Sequence, residues 1–249
     1  MKLGRLNHVG VATPSIERSL ELYKTMFGAE PHGPAFDLPA QGVRVCFVDM
    51  PNSQIELIEP LGPDRGDQGD AAAEDRFFRQ PTGRRTDRRP PPPQPRGLLH
   101  RQQRDHGSDN RPMKLGRLNH VGVATPSIEN SLALYRNMFG AEPHGPAFDL
   151  PAQGVRVCFV DTPNSQIELI EPLGADSPIE KFLEKNPLGG QHHVCFEVPD
   201  IHAAKAEFEA KGARVLGEPR IGAHGTLVFF VHPKDMGGVL TEIMETPKH

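Results

Sequence analysis

The feature that most restricts what this chain can become is that it repeats itself on two scales. Residues Met1 to Gly62 recur as Met113 to Gly174 with five differences: Arg18/Asn130, Glu21/Ala133, Lys24/Arg136, Thr25/Asn137 and Met50/Thr162. Four of the five fall in the segment SIERSLELYKTMFG and its twin. There Ile16, Leu20, Tyr23 and Phe27 keep helical spacing, with Ser15 a natural N-cap and Gly28 a stop. The spacing predicts an amphipathic helix whose solvent face carries the varied positions 18, 21, 24 and 25. A copy this close is a recent duplication or an assembly error and carries little chemical information by itself.

The second repeat is older and lies inside the downstream copy. Setting Asn119 to Ile128 (NHVGVATPSI) over His192 to Ile201 (HHVCFEVPDI) matches His120 with His193, Val121 with Val194, Pro126 with Pro199 and Ile128 with Ile201. Each begins as a short strand and runs into a helix, and the helices end alike at Gly140-Ala141 and Gly212-Ala213. Further on, Ile167-Glu168-Leu169-Ile170-Glu171 answers Thr241-Glu242-Ile243-Met244-Glu245. Between these lie β-rich runs, VRVCFVD (Val155 to Asp161) and TLVFFV (Thr226 to Val231), bounded by Gly and Pro. Each half therefore has the order β-α-β-β-β, which makes the expected class α+β.

That pseudo-symmetry turns scattered residues into a candidate site. Each half has a histidine on its first strand and a glutamate on its last, so a twofold would bring His120, Glu168, His193 and Glu242 to one centre. Taken singly, any of them is an ordinary surface or hydrogen-bonded group; the matched recurrence is what argues for ligands. Two imidazoles and two carboxylates suit a borderline-to-hard divalent ion such as Co, Mn, Ni, Zn or Mg.

Composition excludes several classes. A formal charge of -4 and a pI near 6.3 give no concentrated positive field for nucleic acid. No segment approaches the roughly 18 apolar residues of a membrane span. Cys46, Cys158 and Cys195 form no CxxC pair, which fits buried thiols of a reducing compartment, and the expectation is a cytoplasmic protein. The segment Pro63 to Pro112 is different in kind, with eleven arginines, no lysine, no valine and no isoleucine. It cannot bury enough apolar surface to offset chain entropy and is expected to be a disordered linker. An arginine-rich tether is one account of it. Out-of-frame or intergenic translation of a GC-rich gene is the stronger one, with Met113 then the natural start.

The strings RLNHVGVA, IELIEPLG, DSPIEKFLEKNPLGGQHHVCFEV and GAHGTLVFFVHPKDMGGVLTEI together resemble the methylmalonyl-CoA epimerase family of the vicinal-oxygen-chelate, glyoxalase-like superfamily, over all of Met113 to His249. The resemblance implies an eight-stranded cup of paired βαβββ modules around a divalent metal, preceded here by one extra half-copy over residues 1–62. It also implies a homodimer, an acyl-CoA substrate, and interconversion of (R)- and (S)-methylmalonyl-CoA by α-proton abstraction through a metal-stabilised enolate. By motif the ligands carry over to His120, Glu168, His193 and Glu242. The module alignment independently selects His193 from the His192-His193 pair.

Epimerisation needs acid and base groups on both faces of the α-carbon. Glu242 is the candidate for one. Some members of the family carry a glutamate on the third strand after QGV, but here Gln153-Gly154-Val155-Arg156 leads to Val157, so that role passes to another side chain or a water. His224, in a Gly-rich loop, is a candidate to border the thioester, and Lys234 to meet a CoA phosphate; a turn histidine and a solvated lysine are the bland alternatives. His144, after Pro143, is weaker still. Other enzymes of the superfamily, a glyoxalase-like lyase or a dioxygenase, remain alternatives, as does a non-enzymatic binding protein on the same cup. The front copy carries His8 and Glu56 at the places of His120 and Glu168, with no counterpart of His193 or Glu242. Two fates are expected for it: poor folding, or competition with residues 113–174 for the half that carries His193 and Glu242, a contest the downstream copy should win.

Overall fold

The computed structural model describes residues 2–62 and 116–247. The expected disordered linker at Pro63 to Pro112 lies outside them. The front copy forms β1 (His8–Ala12), α1 (Ile16–Phe27), β2 (Phe36–Leu38), β3 (Val43–Asp49) and β4 (Gln54–Pro60), joined in a sheet of order β1-β4-β3-β2. The downstream copy repeats this as β5 (Leu118–Ala124), α2 (Ile128–Phe139), β6 (Phe148–Leu150), β7 (Val155–Asp161) and β8 (Gln166–Pro172). After α3 (Pro178–Lys185) come β9 (Gly190–Val198), α4 (Ile201–Ala210), β10 (Arg220–Ile221), β11 (Leu227–Val231) and β12 (Leu240–Glu245). The last eight strands make one curled sheet of order β10-β11-β12-β9-β5-β8-β7-β6, the α+β cup that the internal repeat and the family resemblance anticipated.

Local chemistry sets the helices. Ser15 accepts from the Arg18 amide at 3.3 Å at the start of α1, and Gly28 ends it at φ 61°. Ser127 and Gly140 do the same for α2, and Asp200 caps α4 through the His202 and Ala203 amides. Positions 18, 21, 24 and 25 are exposed on α1.

The first and last strands of each module are parallel neighbours, β5 with β8 and β9 with β12, and the modules join where β5 and β9 run antiparallel. The larger apolar core lies on the face of the sheet that α4 covers. There α4 lays Ile201, Ala204 and Phe208 against Phe196, Val198, Phe229 and Ile243. The front copy is folded but does not compete for the inner place beside β9, which β5 holds. It packs on the outer side of the second half instead, with Ile16, Tyr23, Met26 and Phe27 of α1 joining that same core. This third arrangement arises because the α1 stripe finds an apolar surface on the helix side of the second half.

Candidate metal centre

Strand register builds the centre. Glu168 on β8 pairs with Gly122 on β5, and Gly122 pairs with His193 on β9. Glu242 on β12 pairs with Cys195 on β9, and Cys195 pairs with His120 on β5. The period-two alternation of side chains then points His120, Glu168, His193 and Glu242 to one side of the sheet. All four are buried, and their donor atoms lie within 4.8 Å of one another.

The geometry suits one small ion. His120 Nε2 stands 3.1 Å from His193 Nε2, 3.4 Å from Glu168 Oε2 and 3.5 Å from Glu242 Oε2. His193 Nε2 stands 3.3 Å from Glu168 Oε2 and 3.0 Å from Glu242 Oε2. Donors bound to one ion at about 2.0–2.2 Å sit roughly 3 to 3.6 Å apart at octahedral or tetrahedral angles. The donor set and its spacing therefore fit a divalent metal.

Electrostatics agrees. Burial by itself pushes the His193 imidazole down, but the carboxylates of Glu168 and Glu242 outweigh it and raise the group to about 9. Burial raises the Glu242 carboxyl, and His120 and His193 more than reverse this, holding it well below the usual carboxylate range. The group thus concentrates negative charge that protons neutralise, as a cation would.

Each imidazole is held by the residue before it. Asn119 Oδ1 lies 2.9 Å from His120 Nδ1, and Asn119 Nδ2 donates to Glu197 Oε1 at 2.8 Å. His192 Nδ1 lies 3.1 Å from His193 Nδ1. Such partners fix the ring and choose the nitrogen left for a metal. The alignment of Asn119-His120 over His192-His193 carries this signal in the residue before each histidine. Gly122 is the other residue missed: a β-carbon there would overlap the His193 ring.

Of the weaker candidates, His224 comes to the centre. Its ring stacks on His120 at 5.3 Å, tilts against Phe159 at 4.3 Å, and Nε2 lies 2.8 Å from Gln166 Oε1. Burial and the neighbouring His120 push it down to about 4. Lys234 is not brought to the group; it stands exposed on the turn between β11 and β12. His144 makes an exposed pair with Asp161 at 2.8 Å, repeated by His32 and Asp49 at 2.8 Å. Val157 is buried in an apolar cluster with Ile170 and Ile179, the last from α3. The cysteines are free and buried, and no helix among the described residues is long and apolar enough to cross a membrane.

Comparison with known proteins places this geometry. Residues 7–80 and 119–230 match a family model described as Glyoxalase/Bleomycin resistance protein/Dioxygenase superfamily. The ethylmalonyl-CoA/methylmalonyl-CoA epimerase of Cereibacter sphaeroides is 56% identical over 131 residues, 52% of this chain and 97% of the relative. The mitochondrial methylmalonyl-CoA epimerase of Bos taurus is 52% identical over 130 residues, 52% of this chain and 74% of the relative. Among solved structures, a variant of the Streptomyces coelicolor methylmalonyl-CoA epimerase in complex with 2-nitronate-propionyl-CoA has a TM-score of 0.50 at 37% identity, covering 54% of this chain and 100% of that one. The chain belongs to the Glyoxalase/Bleomycin resistance protein/Dioxygenase superfamily and, within it, to the family of the methylmalonyl-CoA epimerases.

Proposed function

We propose that residues 113–249 are the working domain, a metal-dependent epimerase that interconverts (R)- and (S)-methylmalonyl-CoA. The observation that carries this reading is the convergence of His120, Glu168, His193 and Glu242 in one buried group, in a chain whose relatives bear that activity in their names. A divalent ion held by these four, one of Co, Mn, Ni, Zn or Mg, would supply Lewis-acid charge to the carboxylate and thioester oxygens of the substrate.

The chain's own residues do the rest. Glu242 is the proposed base, its carboxylate taking the α-proton on one face. The glutamate that some members of the family carry on this strand has no counterpart at Val157, whose surroundings are apolar, so a water or another polar group delivers a proton on the other face. His224, stacked on His120, is proposed to border the thioester. Lys234, exposed beyond β11, is proposed to meet a CoA phosphate. Ile179, Phe182 and Leu183 of α3 pack on the apolar cluster beside the centre and keep water from it.

Incubating the purified chain with one methylmalonyl-CoA epimer in deuterated water tests this. Solvent deuterium should enter the α-carbon as the epimers interconvert. Turnover without deuterium uptake would point to another reaction of the superfamily, and no turnover to a binding protein. Glu242→Gln should lower turnover about 10²- to 10⁴-fold even at saturating metal, whereas Glu168→Gln should be partly restored by excess metal. Near-normal turnover of Glu242→Gln under saturating metal would reduce Glu242 to a ligand only.

A further inference from the structure

The front module and the module at residues 113–174 touch each other through the same residues, used reciprocally. The Leu6 amide donates to Asn164 Oδ1 at 2.7 Å, and the Leu118 amide, its twin, donates to Asn52 Oδ1 at 2.8 Å. Asn164 Nδ2 donates to the carbonyls of Leu6 at 2.8 Å and Asn52 at 2.6 Å; Asn52 Nδ2 donates to those of Leu118 at 2.9 Å and Asn164 at 2.6 Å. A contact in which residue i meets j while the equivalent j meets i is an isologous, twofold interface. Because the two modules differ at only five positions, two copies of residues 113–249 are able to make this same contact with each other.

A second observation is independent of these bonds. Helices α1 and α2 share their apolar stripe, yet their surroundings differ. On α1 the stripe is covered by the second half: Phe27 stands 5.7 Å from Phe208 and 6.1 Å from Phe196, and Lys211 Nζ donates to the Met26 carbonyl at 3.0 Å. On α2 it is less covered: Ile128 is buried, but Leu132, Tyr135 and Phe139 are only half-buried, with Leu3 of the front module beside them. Met26 is 6% exposed and its twin Met138 58%, with Leu134 also at 58%. The twofold explains the difference, since a half equivalent to β9–β12 would have to follow Gly62 to cover α2, and the front copy's sequence has no counterpart of it.

We propose that the front module is an internal substitute for a partner subunit. It occupies in cis the face through which residues 113–249 would pair with a second copy, so one chain holds three of the four modules of a twofold dimer and is a monomer. A tethered module acts at an effective concentration on the order of millimolar. A second chain at micromolar concentration does not displace it. The pairing that the family resemblance implies between two chains is thus made within one.

Light scattering and hydrogen exchange on the full chain test this. The expected mass is 27.4 kDa, with α1 amides exchanging more slowly than those of α2 despite their matched sequences. A stable dimer, or equal protection of the two helices, would overturn the proposal. Met26→Glu should undock the front module and double the mass, because α2 of one chain then covers the freed face of another. Met138→Glu should leave the monomer unchanged, and the double variant should stay monomeric. A Met26→Glu chain whose α1 exchanges quickly but whose mass remains 27.4 kDa would show that the face is not a pairing surface. If Met26→Glu does not fold, the mass and exchange pattern of the unaltered chain still decide.

Discussion

At Gly122 the centre depends on a side chain that is absent. The His193 ring occupies the space a β-carbon would need, so Gly122→Ala must push the ring off the common point of the four donors. Metal affinity should fall about 10- to 100-fold, as for other changes that misorient a ligand, while far-UV dichroism stays the same; metal analysis after dialysis reads the difference. A second prediction follows from the charge on His193 in the metal-free protein. Its folded value of about 9 exceeds its ordinary 6.5, so the proton it binds stabilises the fold fully below about pH 6.5 and progressively less as pH rises toward 9. Glu242 is shifted the other way from 4.5, so its contribution is present above about pH 4.5 and lost on acidification. The thermal midpoint of metal-free protein should therefore decline from pH 6.5 to 9, and metal affinity, which requires that proton to leave, should rise up to tenfold per pH unit over the same window. A flat midpoint would mean that His193 is not protonated there. The repeat of His and Glu made the four converging residues legible in the sequence. Gly122 was not, because its importance lies in a cross-strand approach that no local pattern records.

Helices α1 and α2 are a natural controlled experiment, since one apolar stripe is placed in two environments. Phe27 is fully buried between α4 and β9, while its twin Phe139 is only half-buried. Phe27→Ala should cost about 3 to 5 kcal/mol of packing and Phe139→Ala much less; denaturant melts of the two variants give the comparison, and equal losses would contradict the burial assigned to α1. Caps and spacing made both helices readable in advance, and the pair of βαβββ halves with them. What covers each helix was not readable, because amphipathicity states that a face will be buried and not against which partner. Helix α3 is the element that the internal repeat does not predict. Ile179, Phe182 and Leu183 carry the helical spacing and Ser177 the cap, but α3 lies between the two modules and has no counterpart in the second, so internal symmetry does not call for it.

At the scale of the whole molecule the two repeats have different consequences. The older one makes the centre: neither half alone offers more than one imidazole and one carboxylate, and the antiparallel join of β5 with β9 brings the sets together. The recent one adds a module whose own half-set, His8 and Glu56, forms a 3.2 Å pair with His8 still 41% exposed. That is too open and too few in donors to hold a metal well. The sequence identified this half-set as incomplete; it did not show where the module would dock, since that depends on surfaces assembled only after the cup has formed. The Cereibacter sphaeroides relative, matched over 97% of its length by about half of this chain, shows that a protein the size of residues 113–249 is a complete unit in this family. Removing residues 1–112 should therefore keep metal content and specific activity per centre, because no donor is lost. It should also uncover the outer surface of α4 and β9 now buried by α1, a loss that the shortened chain can repair by pairing with itself. The expected product is an active dimer, seen as twice the mass of residues 113–249 in light scattering, with α2 amides newly protected from exchange. An inactive, metal-poor product would show that the front module supports the centre directly, and an active monomer would show that its docking surface is not the twofold face.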